Sequence, residues 1–277
     1  MKNTFTSTIS LFLFIVFLTT TAFSQSEGEL AKQTQNPLAN LISLPFQNNF
    51  DFNIGPNDRT KYTLNIQPVV PFELTDSLNL ITRTIFPLIY QPTVTQNSGG
   101  TFGIGDTTLT AFLSPKASGK FIWGAGPIFL VPTATDDVLG TGKWGAGASV
   151  VALVTPDPWV IGFLASNVWS FAGDNDRSDV NLFTFQYFIN YNLPNGWYLT
   201  SAPINTANWE ADDGNKWTIP VGGGGGKVIR IGKLPVNIQA QAFYNVEKFE
   251  QSLVGDLPDV SAADWQFRFQ MQFLFPK

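Results

Sequence analysis

The chain has 277 residues with 16 basic and 21 acidic side chains, a formal net charge of −5 that disfavours a nucleic-acid partner. It contains neither cysteine nor histidine, which excludes a disulfide framework, a Cys/His zinc site, a thiol nucleophile and a Ser-His-Asp triad. Charged residues are only 13% and aromatic residues 14%, so extensive apolar surface must be hidden in a core or in lipid.

Residues 1–24 read as a secretory signal peptide: Lys2, an apolar run from Leu11 to Leu18, then small residues around Ala22 and Ser24. That run is shorter than the roughly 20 apolar residues a membrane helix needs, and no later stretch is apolar enough. Residues 25–41 form an N-terminal segment, a possible short helix or plug, in which Glu29 to Gln35 can be helical before the Asn36-Pro37 breaker.

From residue 42 onward the dominant period is two. The clearest stretch is the last, where Trp265, Phe267, Phe269, Met271, Phe273 and Phe275 alternate with Gln266, Arg268, Gln270 and Gln272. Twelve strands are predicted: 42–54, 60–74, 78–90, 101–114, 120–132, 143–155, 158–171, 180–192, 196–208, 215–229, 234–247 and 264–275. At 78–90 and 101–114 neither face is cleanly apolar. Most strands exceed the roughly 9–11 residues that cross a bilayer at a tilt.

Short connections alternate with long ones along the chain. The long ones collect acidic residues, among them Asp136, Asp137, Asp174, Asp176, Asp179, Asp212 and Asp213. All eight tryptophans fall near predicted strand ends, where a membrane–water boundary would lie. These features predict an all-β fold over 42–277: a transmembrane antiparallel up-and-down barrel in the bacterial outer membrane, with both chain ends on the periplasmic side.

Several stretches carry a resemblance: "LAKQTQNPLANLISLPFQNNFDFNIGPND" (30–58), "LNIQPVVPF" (64–72), "FGIGD" (102–106), "VPTATDDVLGTGKWGAG" (131–147), "NVWSFAGD" (167–174), "YNLPNGWYLTSAPI" (191–204) and the terminal "WQFRFQMQFLFPK". Together they resemble a bacterial outer-membrane transporter family labelled after the meta-cleavage pathway of phenol degradation. The resemblance implies a β-barrel that moves small, hydrophobic or aromatic, solutes. It brings no established substrate and no agreed functional residues.

The run Gly222–Gly226 followed by Lys227 invites a phosphate-loop reading. That loop needs glycine at 221 and Ser or Thr at 228, where the chain has Val221 and Val228, and no G-x-G-x-x-G occurs. As part of a strand, the run points Gly222, Gly224 and Gly226 inward. Two explanations stand open: the N-terminal segment, from Glu29 to Leu44, lies against this bare wall, or the glycines simply allow a bend.

The other inward candidates are Lys61, Asn65, Gln67, Glu73, Arg83, Gln186, Asn190, Gln239, Gln241, Arg268 and Gln270. They line either a polar passage or a plugged interior where they bond one another. The acidic run Asp174, Asp176, Asp179 lacks the glycine and distal glutamate of a calcium loop. Pro68, Pro71, Pro87, Pro127, Pro203 and Pro220 fall inside predicted strands, and bulges are the expected rescue.

The function expected is passive passage of small solutes, with no enzymatic activity, cofactor or metal. The partners expected are membrane lipid, the solute and the barrel-assembly machinery. A lipid-acting enzyme and a closed structural or surface-binding barrel are the alternatives.

Overall fold

The computed structural model describes residues 26–93, 98–116, 119–251 and 260–276, so the signal peptide expected over 1–24 lies outside the described residues. One helix, α1 (Glu27–Thr34), precedes a closed antiparallel barrel of 12 strands. In chain order these are β1 (Ile42–Ile54), β2 (Arg59–Ile66, then Val69–Glu73), β3 (Leu78–Pro92) and β4 (Gly100–Ile104, then Thr107–Pro115). They continue with β5 (Phe121–Val131), β6 (Lys143–Val154), β7 (Trp159–Gly173) and β8 (Asn181–Asn192). The last four are β9 (Trp197–Ser201, then Ile204–Asn208), β10 (Trp217–Ile231), β11 (Leu234–Glu247) and β12 (Trp265–Phe275). Each strand pairs with its neighbours in sequence, and β12 closes onto β1 with Phe275 opposite Ile42 and Trp265 opposite Phe52.

Alternation sets the two faces. Leu109, Leu113, Phe121, Phe129, Phe163, Ile189, Leu199 and Phe267 point outward and are exposed. A monomer in water rarely exposes an apolar patch above a few hundred Å². This surface is the lipid-facing belt of a membrane barrel. All eight tryptophans are exposed and bracket it. Trp123, Trp159 and Trp197 sit at the short-turn end, and Trp144, Trp169, Trp209, Trp217 and Trp265 towards the long-loop end. Lys227 lies on this outer face, its Nζ 5.0 Å from the centre of the Trp197 ring. The lysine after the glycine run is therefore a boundary anchor.

The prolines sit where a ladder is interrupted. Pro68 and Pro203 fall in the breaks of β2 and β9. Pro220 lies at a register shift between β10 and β11. Pro87 faces the break of β4, whose pairing with β3 stops at Ile104 on one side and resumes at Thr108 on the other. Pro127 lies where the β4–β5 ladder skips from Thr110–Ile128 to Leu113–Ala125. Pro71 reaches past the start of β1, whose contact with this part of β2 is Ser43–Val69. At Pro68, Pro87, Pro127, Pro203 and Pro220 the missing N–H coincides with a gap or shift in a ladder, so little hydrogen bonding is lost.

The N-terminal segment folds into the short-turn mouth. A capping box starts α1: Ser26 Oγ accepts from the Glu29 amide, and the Glu29 carboxylate accepts from the Ser26 amide. Lys32 Nζ bonds Asp157 Oδ1 at 2.6 Å, tying the helix to the β6–β7 turn. Gln35 and Asn192 exchange amide hydrogen bonds at 2.9 and 3.2 Å. Leu30 and Ala31 are fully buried with Leu41, Tyr198, Val228 and Leu274. Beyond the Asn36-Pro37 breaker, Leu38 enters an inward apolar cluster of Ile81, Phe112, Val151, Leu153, Val160, Leu164 and Phe188. Burying each such leucine contributes about 1.5–3 kcal/mol.

Candidate functional site: the lumenal cavity and the break in its wall

Beside the N-terminal segment lies a cavity of about 160 Å³. Thr34, Gln35 and Pro37 of the N-terminal segment form part of its lining. One wall is a lattice of amides built by register across β1, β12 and β11. Its rungs are Gln47–Gln270–Gln239, Asn49–Arg268–Gln241 and Pro45–Gln272–Asn237. Cross-strand neighbours on one face lie close enough to interact, and here they bond. Arg268 Nε donates to Asn49 Oδ1 at 3.1 Å, and Asn237 Nδ2 donates to Gln272 Oε1 at 3.3 Å. Tyr198 Oη donates to Asn237 Oδ1 at 2.7 Å. Gln67 and Arg83 line the cavity on a neighbouring wall, joined by a 2.6 Å bond from Arg83 Nη2 to Gln67 Oε1. Leu164, Phe188, Val69 and Ala202 provide apolar lining.

The second feature is a discontinuity in β9. Residues Trp197–Thr200 pair with Lys227–Gly224 of β10, and Thr206–Ala207 pair with Thr218–Trp217. Among the described residues no ladder pair joins 201–205 to 219–223. At its centre, the peptide groups flanking Ala202 turn to the lumen. The Ala202 amide donates to Gln241 Oε1 at 3.0 Å. The Ala202 carbonyl accepts from Arg268 Nη1 at 2.9 Å and from Gln186 Nε2 at 3.2 Å. Side chains from β8, β11 and β12 thus replace the missing strand partner, as buried backbone groups require. Across the break, Ser201 Oγ donates to the Gly222 carbonyl at 2.6 Å.

The glycine run faces this break from β10. Gly222, Gly224 and Gly226 stand opposite Phe243, Gln241 and Gln239 on the inward face. A Cβ on Gly224 would collide with the Ala240 carbonyl, on Gly222 with the Ala242 carbonyl and on Gly226 with the Tyr198 hydroxyl. A Cβ on Gly223 would stand 2.7 Å from the Thr200 carbonyl on the other side. The run therefore admits close approach by both neighbouring strands. Helix α1 packs slightly lower, on Val228.

Of the candidates read from sequence, Gln67, Arg83, Gln186, Asn190, Gln239, Gln241, Arg268 and Gln270 converge on the cavity. Lys61 and Asn65 share the inward face but lie elsewhere, opposite Asp51 and Gln47. Glu73 is exposed at the short-turn end, where it accepts from Lys116 at 2.9 Å. Gln47, Thr200, Asn237 and Gln272 line the cavity and were missed. Asn237 and Gln272 occupy the same alternate positions as their chosen neighbours, so periodicity carried the signal. Tyr198 and Ala202 had none, because their roles depend on the break.

At the long-loop end, Lys143 Nζ bonds Asp179 Oδ1 at 3.2 Å and Ser170 Oγ donates to the same oxygen at 3.1 Å. The Lys143 hydrogen bond, followed by that from Ser170, holds the Asp179 carboxyl below the usual carboxylate range. Among the described residues no acidic group cluster is arranged to hold a metal ion.

No family model and no curated relative matches the chain. Among solved structures it is similar to an outer-membrane channel from Pseudomonas putida F1, 16% identical over 85% of this chain and 94% of that one, with a TM-score of 0.62. More distant are outer-membrane phospholipase A from Escherichia coli, 12% identical over 92% and 99% of the two chains at a TM-score of 0.41, and the Pseudomonas putida toluene transporter TodX, 10% identical over 88% and 93% at 0.37. At such identities the first likeness shows the fold. Together with the girdled apolar exterior, it makes this chain a bacterial outer-membrane β-barrel.

Proposed function

We propose that the protein is an outer-membrane channel for small aromatic or aliphatic solutes that carry one polar end. The observation that carries this reading is the break beside Ala202. The short-turn mouth holds α1 and Leu38, while the wall at 201–205 lacks its β10 partner. A solute in the cavity meets amides on one side and Leu164 and Phe188 on the other. Its apolar body can pass between lumen and lipid through the break while its polar end keeps amide partners. Passage is passive and involves no covalent chemistry.

The sequence resemblance to the meta-pathway transporter family points the same way. So does the fold likeness to a protein described as an outer-membrane channel. A lipid-acting enzyme has less support, since a chain without histidine offers no imidazole base for acyl transfer.

The route is tested by tethering the plug. Gln35 and Asn192 already bond each other, so Gln35→Cys with Asn192→Cys can be joined in a chain that has no other cysteine. Cells displaying the tethered barrel should take up labelled toluene and benzyl alcohol as fast as the reduced form. Uptake abolished by the tether and restored by reduction would show that the plug must leave, and would reject the wall as the route.

A further inference from the structure

The cavity lining holds two guanidiniums, Arg83 and Arg268, and no carboxylate. Arginine stays protonated in proteins, so both are cations. Arg83 bonds the neutral Gln67 side chain. Arg268 bonds Asn49 and the Ala202 carbonyl and lies 5.1 Å from the centre of the Phe243 ring. Neither has a carboxylate within ion-pair distance among the described residues. Of the five N–H donors on each guanidinium, these bonds use one at Arg83 and two at Arg268.

The charge around the cavity is unbalanced. Arg83 and Arg268 line the same small cavity, so their like charges face one enclosed space. Asp51, paired with Lys61 in the β1–β2 ladder, is not part of the lining, so the two guanidiniums meet no carboxylate within the cavity. Buried like charges with neutral partners are costly, and an anion placed between them relieves both. Bidentate pairing with a carboxylate is the geometry a guanidinium offers best.

The apolar side supplies the rest of the ligand. Leu164 and Phe188 belong to the inward apolar cluster and also line the cavity. A cavity of about 150 Å³ is enough to hold benzene, close to the 160 Å³ found here.

We infer that this cavity binds a small aromatic monocarboxylate, its carboxylate between Arg83 and Arg268 and its ring against Leu164 and Phe188. This rests on the channel reading and names its solute class. Arg268 also holds the Ala202 carbonyl at the inner edge of the break, so the anion sits beside the opening through which the apolar body exchanges with lipid.

The test is calorimetric titration of the detergent-solubilised full barrel with benzoate and with benzyl alcohol, which keeps the ring and lacks the charge. Benzoate should bind at least tenfold more tightly. Arg83→Gln should weaken benzoate at least tenfold while leaving benzyl alcohol unchanged, and Arg83→Lys should restore part of the difference. Arg83 is chosen because Arg268 also supports the wall. Equal affinity for the two ligands in the unmodified barrel overturns the assignment, and so does undiminished benzoate binding by a folded Arg83→Gln barrel. Should Arg83→Gln fail to fold, the two-ligand comparison decides alone. Because binding in micelles involves no passage, failure here leaves the channel reading standing, and failure of the plug-tether experiment leaves this site standing.

Discussion

The two sides of the lumen are held by different forces. The wall of β1, β11 and β12 turns Gln47, Gln241, Arg268 and Gln270 inward, joined by directional hydrogen bonds. The wall of β3, β4 and β6 to β8 turns Ile81, Phe112, Val151, Val160 and Phe188 inward, and Leu38 of the plug packs among them. The apolar side therefore anchors the N-terminal segment through shape and area. The polar side fixes the position of one peptide, at Ala202, through donors and acceptors. A lumen built this way can keep its mouth closed while one part of its wall remains unpaired.

The sharpest challenge to this contrast is on β10. Gly224→Leu places a side chain against the Ala240 carbonyl, and because the obstructing atoms are the Ala240 and Gln241 backbone they cannot easily give way. The expected result is loss of the assembled barrel, seen as loss of the heat-modifiable band on electrophoresis. Next comes Leu38→Ala, which leaves a cavity in the apolar cluster and should cost about 2–5 kcal/mol in urea unfolding from vesicles. It should also raise ion conductance by loosening the plug. Gln241→Ala should cost less, about 1–3 kcal/mol, through the unsatisfied Ala202 amide. It should leave plug-limited conductance unchanged. Equal conductance changes from the two substitutions would erase the division of labour between the walls.

The smallest effect lies outside the membrane. Asp179 is held below its ordinary range in the folded state, so its contribution is complete above its unfolded value of about 4 and is lost as pH falls through the folded value. Hydrogen exchange of the amides over 174–180, corrected for its intrinsic pH dependence, should accelerate as pH drops below about 4, and Asp179→Asn should remove that acceleration.

The same contrast decides what could be read from sequence. On β11 and β12 a polar inward face opposes an apolar outward one, so alternation located the strands to within a residue: 234–247 became Leu234–Glu247 and 264–275 became Trp265–Phe275. On 78–90 and 101–114 the signal was blurred because both faces carry apolar residues: Ile81 and Phe112 inward, Leu109 and Leu113 outward. Alternation keeps its parity across the breaks of β2 and β9, so it shows them as continuous strand; at β4 the pairing with β3 moves by one residue, from Leu88–Ile104 to Ile85–Thr108, which turns Phe102 and Leu109 to the same outward face. The prolines marked these places, yet which ladder each one interrupts depends on register between strands. The inward direction of Gly222, Gly224 and Gly226 followed from period alone. Their purpose did not, since the obstructing groups belong to β9 and β11, distant in sequence.

The central claim is that the unpaired wall at β9 is the route for solute. Register from Thr200–Gly224 and Thr206–Thr218 places Pro203 opposite Val221, both in the break. Pro203→Cys with Val221→Cys, joined by oxidation or a short bifunctional thiol reagent, should lower uptake of labelled benzyl alcohol to the level of cells lacking the barrel. Ion conductance of the same joined protein in a planar bilayer should stay within about twofold of the reduced form. Uptake that persists through a fully joined wall would contradict the account.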